Sequence, residues 1–166
     1  MGVTVASRLE RLVRFVPGVA GYQDRENARA TDKQVRMRLV EEMRRLMLAL
    51  EEDKQRLAES GDLSSPPRLD RLSGRLERLS RGVEFAGRGY AGLFDLPKVD
   101  GDTLDQLYAF DLGLFEAMST VRARAEAVRA ALTDAASLAS AAQRMTEALD
   151  DFGQLFDKRR LIVDAD

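Results

Sequence analysis

The feature that most limits the possible folds is a long stretch without a helix breaker. Between Asp24 and Ser60 the chain contains no glycine and no proline, and it is rich in Arg, Glu, Met, Leu and Ala. These residues have high intrinsic helix propensity. Because a helix rises 1.5 Å per residue, the stretch predicts one helix of roughly 55 Å with Asp24 as its N-cap. A helix of this length favours a bundle, in which shorter helices lie along its side.

Four further segments repeat apolar residues at spacings of three and four, the period of an amphipathic helix. They cover residues 3–16, a segment with Ser65 as N-cap and Pro66 as first helical residue, a segment from 102 or 103, and a last one from 133 or 134 to 160. One continuous helix over 102–160 is the alternative, because neither glycine nor proline marks a break near 132–134.

No segment shows the alternation that predicts a strand. We therefore predict an all-α fold for residues 1–166 as a single domain: an elongated antiparallel bundle of about five helices with coiled-coil-like seams. The first and third helices are expected to lie along the long second helix. The apolar and then acidic tail, residues 161–166, is expected to pack over one end of the bundle.

The most regular apolar seam lies in the third helix. Its residues alternate at spacings of three and four, as in the a and d positions of a coiled coil: Leu69, Leu72, Leu76 and Leu79. This pattern predicts a self-association seam. Four arginines flank it, and we expect them to bridge acidic helices nearby, with binding of an anionic partner as the alternative: Arg68, Arg71, Arg75 and Arg78.

The composition removes several kinds of chemistry. The chain has no histidine and no cysteine, so the Glu-x-x-His ligands of di-iron bundles and a thiol nucleophile are excluded. The glycines at 87, 89 and 92 have dinucleotide-binding spacing, but they follow a helix where that site requires a strand. Adjacent carboxylates on a helix point in different directions and do not form a cage. We predict no catalytic residue, no metal site and no cofactor.

The charge distribution also argues against several partners. The net charge is −2, and residues 99–166 carry 7 basic and 13 acidic groups. This imbalance is too small to predict nucleic-acid binding. Arg8, Arg11 and Arg14 interrupt the apolar residues near the N-terminus, so neither a signal peptide nor a membrane span is predicted and a cytoplasmic location is favoured.

Two glycine- and tyrosine-containing segments are the places where a binding function is most expected. One contains Pro17, Gly18, Gly21 and Tyr22, and the other contains Gly89, Tyr90, Gly92 and Phe94. Six of the ten aromatic residues fall within residues 85–115, so this region is either the plug of the bundle or a surface for a partner. The candidate ligand- or partner-binding residues are Tyr22, Arg29, Asp32, Tyr90 and Phe94.

The same segments carry a resemblance. Their Pro-Gly-x-x-Gly-Tyr and Gly-Tyr-x-Gly-x-Phe-Asp patterns, together with Glu26, Arg29, Asp32 and the run from Leu104 to Asp111, resemble a group of uncharacterised bacterial and archaeal helical proteins. The resemblance implies a helical bundle with both loops intact, and it carries over no catalytic residue.

The sequence therefore leads to one main hypothesis and two alternatives. The main hypothesis is a non-enzymatic interaction or scaffolding protein that binds a protein partner or forms a homo-oligomer. The first alternative is a membrane-peripheral adaptor that uses its amphipathic N-terminal helix. The second is a bundle that binds a small ligand in a polar pocket near Tyr22, Arg29, Asp32 and Tyr90.

Overall fold

A computed structural model describes residues 4–22, 24–89 and 100–163. These residues form five α-helices and a short 3-10 turn at Ala86–Gly89, and none of them lies in a strand. The helices are α1 (Val5–Phe15), α2 (Arg25–Glu59), α3 (Pro66–Phe85), α4 (Gly101–Ala130) and α5 (Ala135–Val163). The predicted all-α fold is confirmed.

Acidic side chains fix where most helices begin. Asp24 caps α2 by accepting from the amide of Asn27 (3.0 Å), and Asp100 caps α4 by accepting from the amide of Thr103 (2.9 Å). Ser65 precedes α3 as predicted, but its side chain makes no capping bond. Asp62 accepts from the amides of Ser64 (2.9 Å) and Ser65 (3.0 Å), and hydrogen bonds from these two serines lower the pKa of Asp62 to about 2.

The break between the last two helices exists, which decides between the two alternatives left open by the sequence. α4 ends at Ala130, and Asp134 accepts from the amide of Ser137 (2.8 Å) at the start of α5. Asp134 thus caps the start of α5, and a new helix begins there although no glycine or proline separates it from α4. α5 continues three residues beyond the predicted end, to Val163, so the apolar part of the tail extends the helix; residues 164–166 lie outside the described residues.

Four helices form a closed ring in the order α2, α3, α5, α4. Lys54–Asp70 (2.7 Å) and Arg44–Glu84 (3.2 Å) show that α2 and α3 are antiparallel. Arg129–Asp53 (2.8 Å) and Arg122–Glu42 (3.8 Å) show that α2 and α4 are parallel. Since α4 and α5 form an antiparallel hairpin, α3 and α5 are also parallel to each other.

The first helix does not take its expected place. It was predicted to lie along α2, but it packs against α4. Leu12 is buried there, Phe15 stacks on Phe115 with ring centroids 4.9 Å apart, and Arg8 pairs with Asp105 at 3.2 Å. Helix length alone favoured α2, whereas this aromatic contact and this ion pair favour α4.

Candidate functional site

A group of charged and phenolic side chains is buried near the start of α2. We call Tyr22, Asp32, Arg36, Asp111 and Arg159 the buried polar cluster. Arg159 donates from Nε to Asp111 Oδ1 (2.6 Å) and from Nη2 to Tyr22 Oη (3.0 Å). Tyr22 in turn donates to Asp111 Oδ2 (2.5 Å), and Arg159 lies 2.9 Å from Asp32 Oδ1. Tyr22, Asp111 and Arg159 have no solvent exposure.

The cluster joins all four helices of the ring. Arg36 pairs with Asp32 on α2 (2.8 Å), and its guanidinium also donates to the carbonyl of Glu84 at the end of α3 (2.8 Å). Asp111 belongs to α4 and Arg159 to α5, while Tyr22 comes from the segment before α2. Helix ends that lack internal hydrogen-bond partners are thereby fixed to the core.

Burial controls the proton affinities in the cluster. It raises the pKa of Tyr22 well above its ordinary value, and the negative charge of Asp111 adds to this effect. Burial also raises the pKa of Asp111, although the positive charge of Arg159 opposes it. The cluster contains two arginines and two aspartates, so its charges balance. Such a balanced group stabilises one arrangement of helices and gives a phenol that loses its proton with difficulty.

The structure describes three of the five predicted ligand-binding residues. Tyr22 and Asp32 meet in the buried polar cluster, whereas Arg29 is exposed on α2. Tyr90 and Phe94 lie outside the described residues. Among the three residues that the structure describes, Tyr22 and Asp32 meet; a polar pocket that includes Tyr90 and Phe94 stays a prediction.

The predicted self-association seam lies inside the chain. Leu69, Leu72 and Leu76 are buried in the core of one copy, and Leu79 is half-buried against that core. An interface between copies therefore has to use another surface, because these leucines already pack against other helices of the same chain.

Sequence reasoning missed Asp111, Arg159 and Tyr108 as parts of one buried network. A signal was present: Arg159 continues the helical seam of Phe152, Phe156 and Val163, so its position is that of a core residue. Tyr108 contributes by accepting a hydrogen bond from the amide of Tyr22 (2.9 Å). The residues that bind Arg159 lie far away in sequence, so the helical pattern of α5 alone does not identify them.

The arginines of α3 form the second notable feature. Arg68, Arg71, Arg75 and Arg78 lie on the side of α3 that faces α5 or solvent beside it. Two acidic residues of α3, Asp70 and Glu84, pair with α2. Arg75 pairs with Asp150 of α5. Within the part of the chain that the structure describes, the side chains of Arg68, Arg71 and Arg78 make no hydrogen bond or ion pair.

The neighbouring surface of α5 carries charges of both signs. A groove of about 610 Å³ runs between the two helices, and Gly82, Gly153 and Asp157 are among the residues that line it. Glu147 is exposed on α5 and accepts a hydrogen bond only from Gln143 of the same helix (3.1 Å). We call the surface formed by the arginines of α3 and the groove-lining residues of α5 the α3–α5 face; it is basic along α3 and carries Asp150, Asp157 and Arg160 along α5.

Gly82 lies inside α3 and lines this groove, so replacing it tests how much free space the groove has there. We expect Gly82→Ala to raise the free energy of unfolding by about 0.5–1 kcal/mol, because glycine inside a helix costs backbone entropy and a Cβ there meets nothing within 4 Å. Gly153→Ala is the control, since its Cβ would lie 3.2 Å from Leu79 Cδ2 and offset the gain. Chemical denaturation measures both. Equal stabilisation by the two substitutions would contradict this description.

Other kinds of site receive no support from the described residues. No three acidic side chains cluster so that they could hold a metal ion among residues 4–22, 24–89 and 100–163. No helix in that part of the chain is long and apolar enough to cross a membrane. Comparisons with protein-family models, with curated proteins and with solved structures give no match. The resemblance to a group of helical proteins therefore stays a prediction.

Proposed function

We propose that this chain is a non-enzymatic interaction protein that self-associates through the α3–α5 face. The observation that carries this proposal is the row of arginines on α3. Three of them make no side-chain hydrogen bond or ion pair among the described residues, whereas Asp70 and Glu84 of the same helix pair with α2. Arginine side chains in such a row are suited to bind carboxylates on another protein surface.

The acidic residues of α5 favour a protein partner over a nucleic acid. Asp150 and Asp157 lie beside the arginines in the groove and would repel phosphate groups, while Arg160 adds a positive charge there. A partner with both signs of charge satisfies both helices, and a second copy of this chain carries such a surface. Charge complementarity of this kind mainly determines specificity and association rate.

The alternatives drawn from the sequence are less well supported. α1 buries Leu12 against α4 and is held by ion pairs of Arg8 and Arg11, which favours a role in the bundle over one in a membrane surface. Tyr22 and Asp32 already bind other residues of the buried polar cluster, which weakens the hypothesis of a polar ligand pocket around them.

The size of the face predicts weak association. A helix of 20 residues such as α3 is about 30 Å long, and two neighbouring helices span about 20 Å, so each copy offers roughly 600 Å². Two copies would bury roughly 1,200 Å², the lower end for a specific interface. Because few apolar side chains lie on this face, we expect a dissociation constant in the micromolar range that rises with salt.

The proposal is tested by analytical ultracentrifugation from roughly 1 µM to roughly 1 mM protein, at low and high salt. We expect Arg71→Glu/Arg78→Glu to weaken self-association at least about tenfold, because two attractions become repulsions. Arg14→Glu/Arg124→Glu changes the net charge equally at exposed positions on α1 and α4, away from this face. This control is expected to change the dissociation constant by less than about threefold.

Two results would overturn the proposal. One is a wild-type protein that stays monomeric at every concentration. The other is an equal loss of association in the two charge-reversal variants, because net charge would then explain the effect without the α3–α5 face.

A further inference from the structure

A second hollow lies between α3 and α5, nearer to their first turns than the 610 Å³ groove. It measures about 260 Å³ and is lined by three arginines of α3 and by small or uncharged side chains of α5. We propose that this hollow binds a small organic phosphate, with the phosphate group held by arginines of α3. Such binding goes beyond self-association and does not depend on it.

Arg68 and Arg71 supply the positive charge of the hollow. Neither side chain makes a hydrogen bond or ion pair with another described residue, whereas the third arginine, Arg75, is paired with Asp150. Among the described residues, none that lines this hollow is acidic. A phosphate monoester carries a charge of about −1.5 to −2 at pH 7 and offers three acceptor oxygens. Two guanidinium groups beside one cavity match this charge and these acceptors.

The carboxylates near the hollow do not cancel this charge. Asp70 is bound to Lys54 of α2 (2.7 Å), and Glu147 is exposed and accepts from Gln143 Nε2 (3.1 Å) without lining the hollow. Asp157, which disfavours phosphate in the larger groove, follows Gln143 by 14 residues, about 21 Å along α5. This distance exceeds the Debye length of about 8 Å at physiological salt, so its repulsion is largely screened here.

The register of the two helices explains why the hollow exists. α3 and α5 are parallel, and Arg75 contacts Asp150. Arg68 precedes Arg75 by seven residues and Gln143 precedes Asp150 by seven, so Arg68 and Gln143 lie at the same height, two turns nearer the helix starts. α5 carries alanines at this height, and their short side chains leave the space beside the arginines unfilled.

The uncharged side chains of the hollow limit the rest of the ligand. Leu72, Ala139 and Ala142 are apolar, and the Thr146 hydroxyl already donates to the carbonyl of Ala142 (3.0 Å). These groups favour a carbon part of the ligand over further polar groups. Since sites for drug-sized ligands measure about 300–1,000 Å³, a hollow of about 260 Å³ fits a phosphate on one ring or a short chain.

The experiment is a titration with phenyl phosphate or with inorganic phosphate, followed by two-dimensional NMR at constant ionic strength. We expect phenyl phosphate to bind one to one with a dissociation constant of about 1 mM or lower, and to shift the Gln143 side-chain amide and the amides of Arg68 and Arg71. Inorganic phosphate should bind at least about threefold more weakly, because it lacks the apolar part. The protein is kept at a concentration where it is monomeric, so failure of binding leaves self-association untouched.

Two pairs of variants locate the ligand. Arg68→Gln/Arg71→Gln should weaken phenyl phosphate binding at least about tenfold, and Arg14→Gln/Arg124→Gln, the same change at exposed positions of α1 and α4, by less than about threefold. Ala139→Leu fills the hollow without changing any charge and should also weaken binding at least about tenfold. Its control is Ala136→Leu at an exposed position of the same helix. Circular dichroism and thermal unfolding check the fold of every variant.

Four results would overturn the phosphate site. Phenyl phosphate that gives no saturable shift up to roughly 10 mM does not bind the hollow. Equal weakening in the two arginine pairs would mean that net charge explains the effect. Unchanged affinity in Ala139→Leu would place the ligand outside the hollow, and equal affinity for inorganic phosphate would remove the organic part of the ligand.

Discussion

Replacing Arg159 with methionine is expected to lower the free energy of unfolding by about 3–5 kcal/mol. The guanidinium holds Asp111, Tyr22 and Asp32 together in a region without solvent access. The unbranched methionine side chain replaces the aliphatic stem of Arg159 but has no hydrogen-bond donor. Asp111 would therefore keep a buried negative charge with no cation bound to it. Urea denaturation followed by circular dichroism measures the change.

The matched control is Arg144→Met, which makes the same chemical change at an exposed position of the same helix. We expect this control to alter stability by less than about 0.5 kcal/mol. The double variant Arg159→Met/Asp111→Leu removes the unpaired charge as well, and it should recover part of the loss. A loss in Arg159→Met no greater than in Arg144→Met would show that the cluster does not stabilise the fold.

The pH dependence of the Arg159→Met variant identifies the cause. Burial raises the pKa of Asp111, and Arg159 is the strongest influence that opposes this rise. Without Arg159 the pKa of the folded state rises further, while that of the unfolded chain stays near 3.9. Between these two values the folded state binds the proton more tightly, so its stability increases as the pH falls through this window. The deficit of Arg159→Met relative to the wild type should therefore shrink from pH 7 towards pH 4.

The second large effect is expected from Gly21→Ala, which should lower the free energy of unfolding by about 2–4 kcal/mol. Gly21 has a φ of +95°, a backbone conformation that alanine adopts only with strain. A Cβ at this position would also overlap the hydroxyl of Tyr108. That hydroxyl accepts the amide hydrogen bond of Tyr22, so the overlap would displace the segment that delivers Tyr22 to the buried polar cluster.

Gly18→Ala is the control for backbone strain. Gly18 has a φ of +83°, and a Cβ there would meet nothing within 4 Å. We expect this substitution to cost about 1–2 kcal/mol, the strain alone. The difference between the two variants, measured by chemical denaturation, reports the contact with Tyr108. Equal losses would mean that Tyr108 moves aside freely and that this contact does not position Tyr22.

The helices themselves could be predicted closely. α2 begins next to its predicted N-cap Asp24, and α3 begins at the predicted Pro66. These boundaries depend on a capping aspartate and a proline, whose effects are local in sequence. One small error concerns the cap of α3. Ser65 was predicted to supply it, but its side chain makes no capping bond, and Asp62 accepts from the amide of Ser64 instead.

The candidate site was predicted less well. Tyr22 and Asp32 were singled out, but their partner Arg159 was not, because it is 137 residues from Tyr22 along the chain. The leucine seam of α3 was predicted as a self-association seam, whereas Leu69, Leu72 and Leu76 are buried within one copy. A periodic seam does not state whether its partner is in the same chain.

The sequence by itself determined that this chain forms helices, where most of them begin and end, and which of their faces are apolar. Those properties follow from backbone propensity and from side chains within one or two turns of each other. Only the tertiary structure decided that α1 packs against α4, that two aspartates and two arginines neutralise each other in the core, and that Arg75 of α3 lies beside Asp150 of α5. Packing of distant segments selects these pairings, because the free energy of burying a charge depends on which opposite charge it meets.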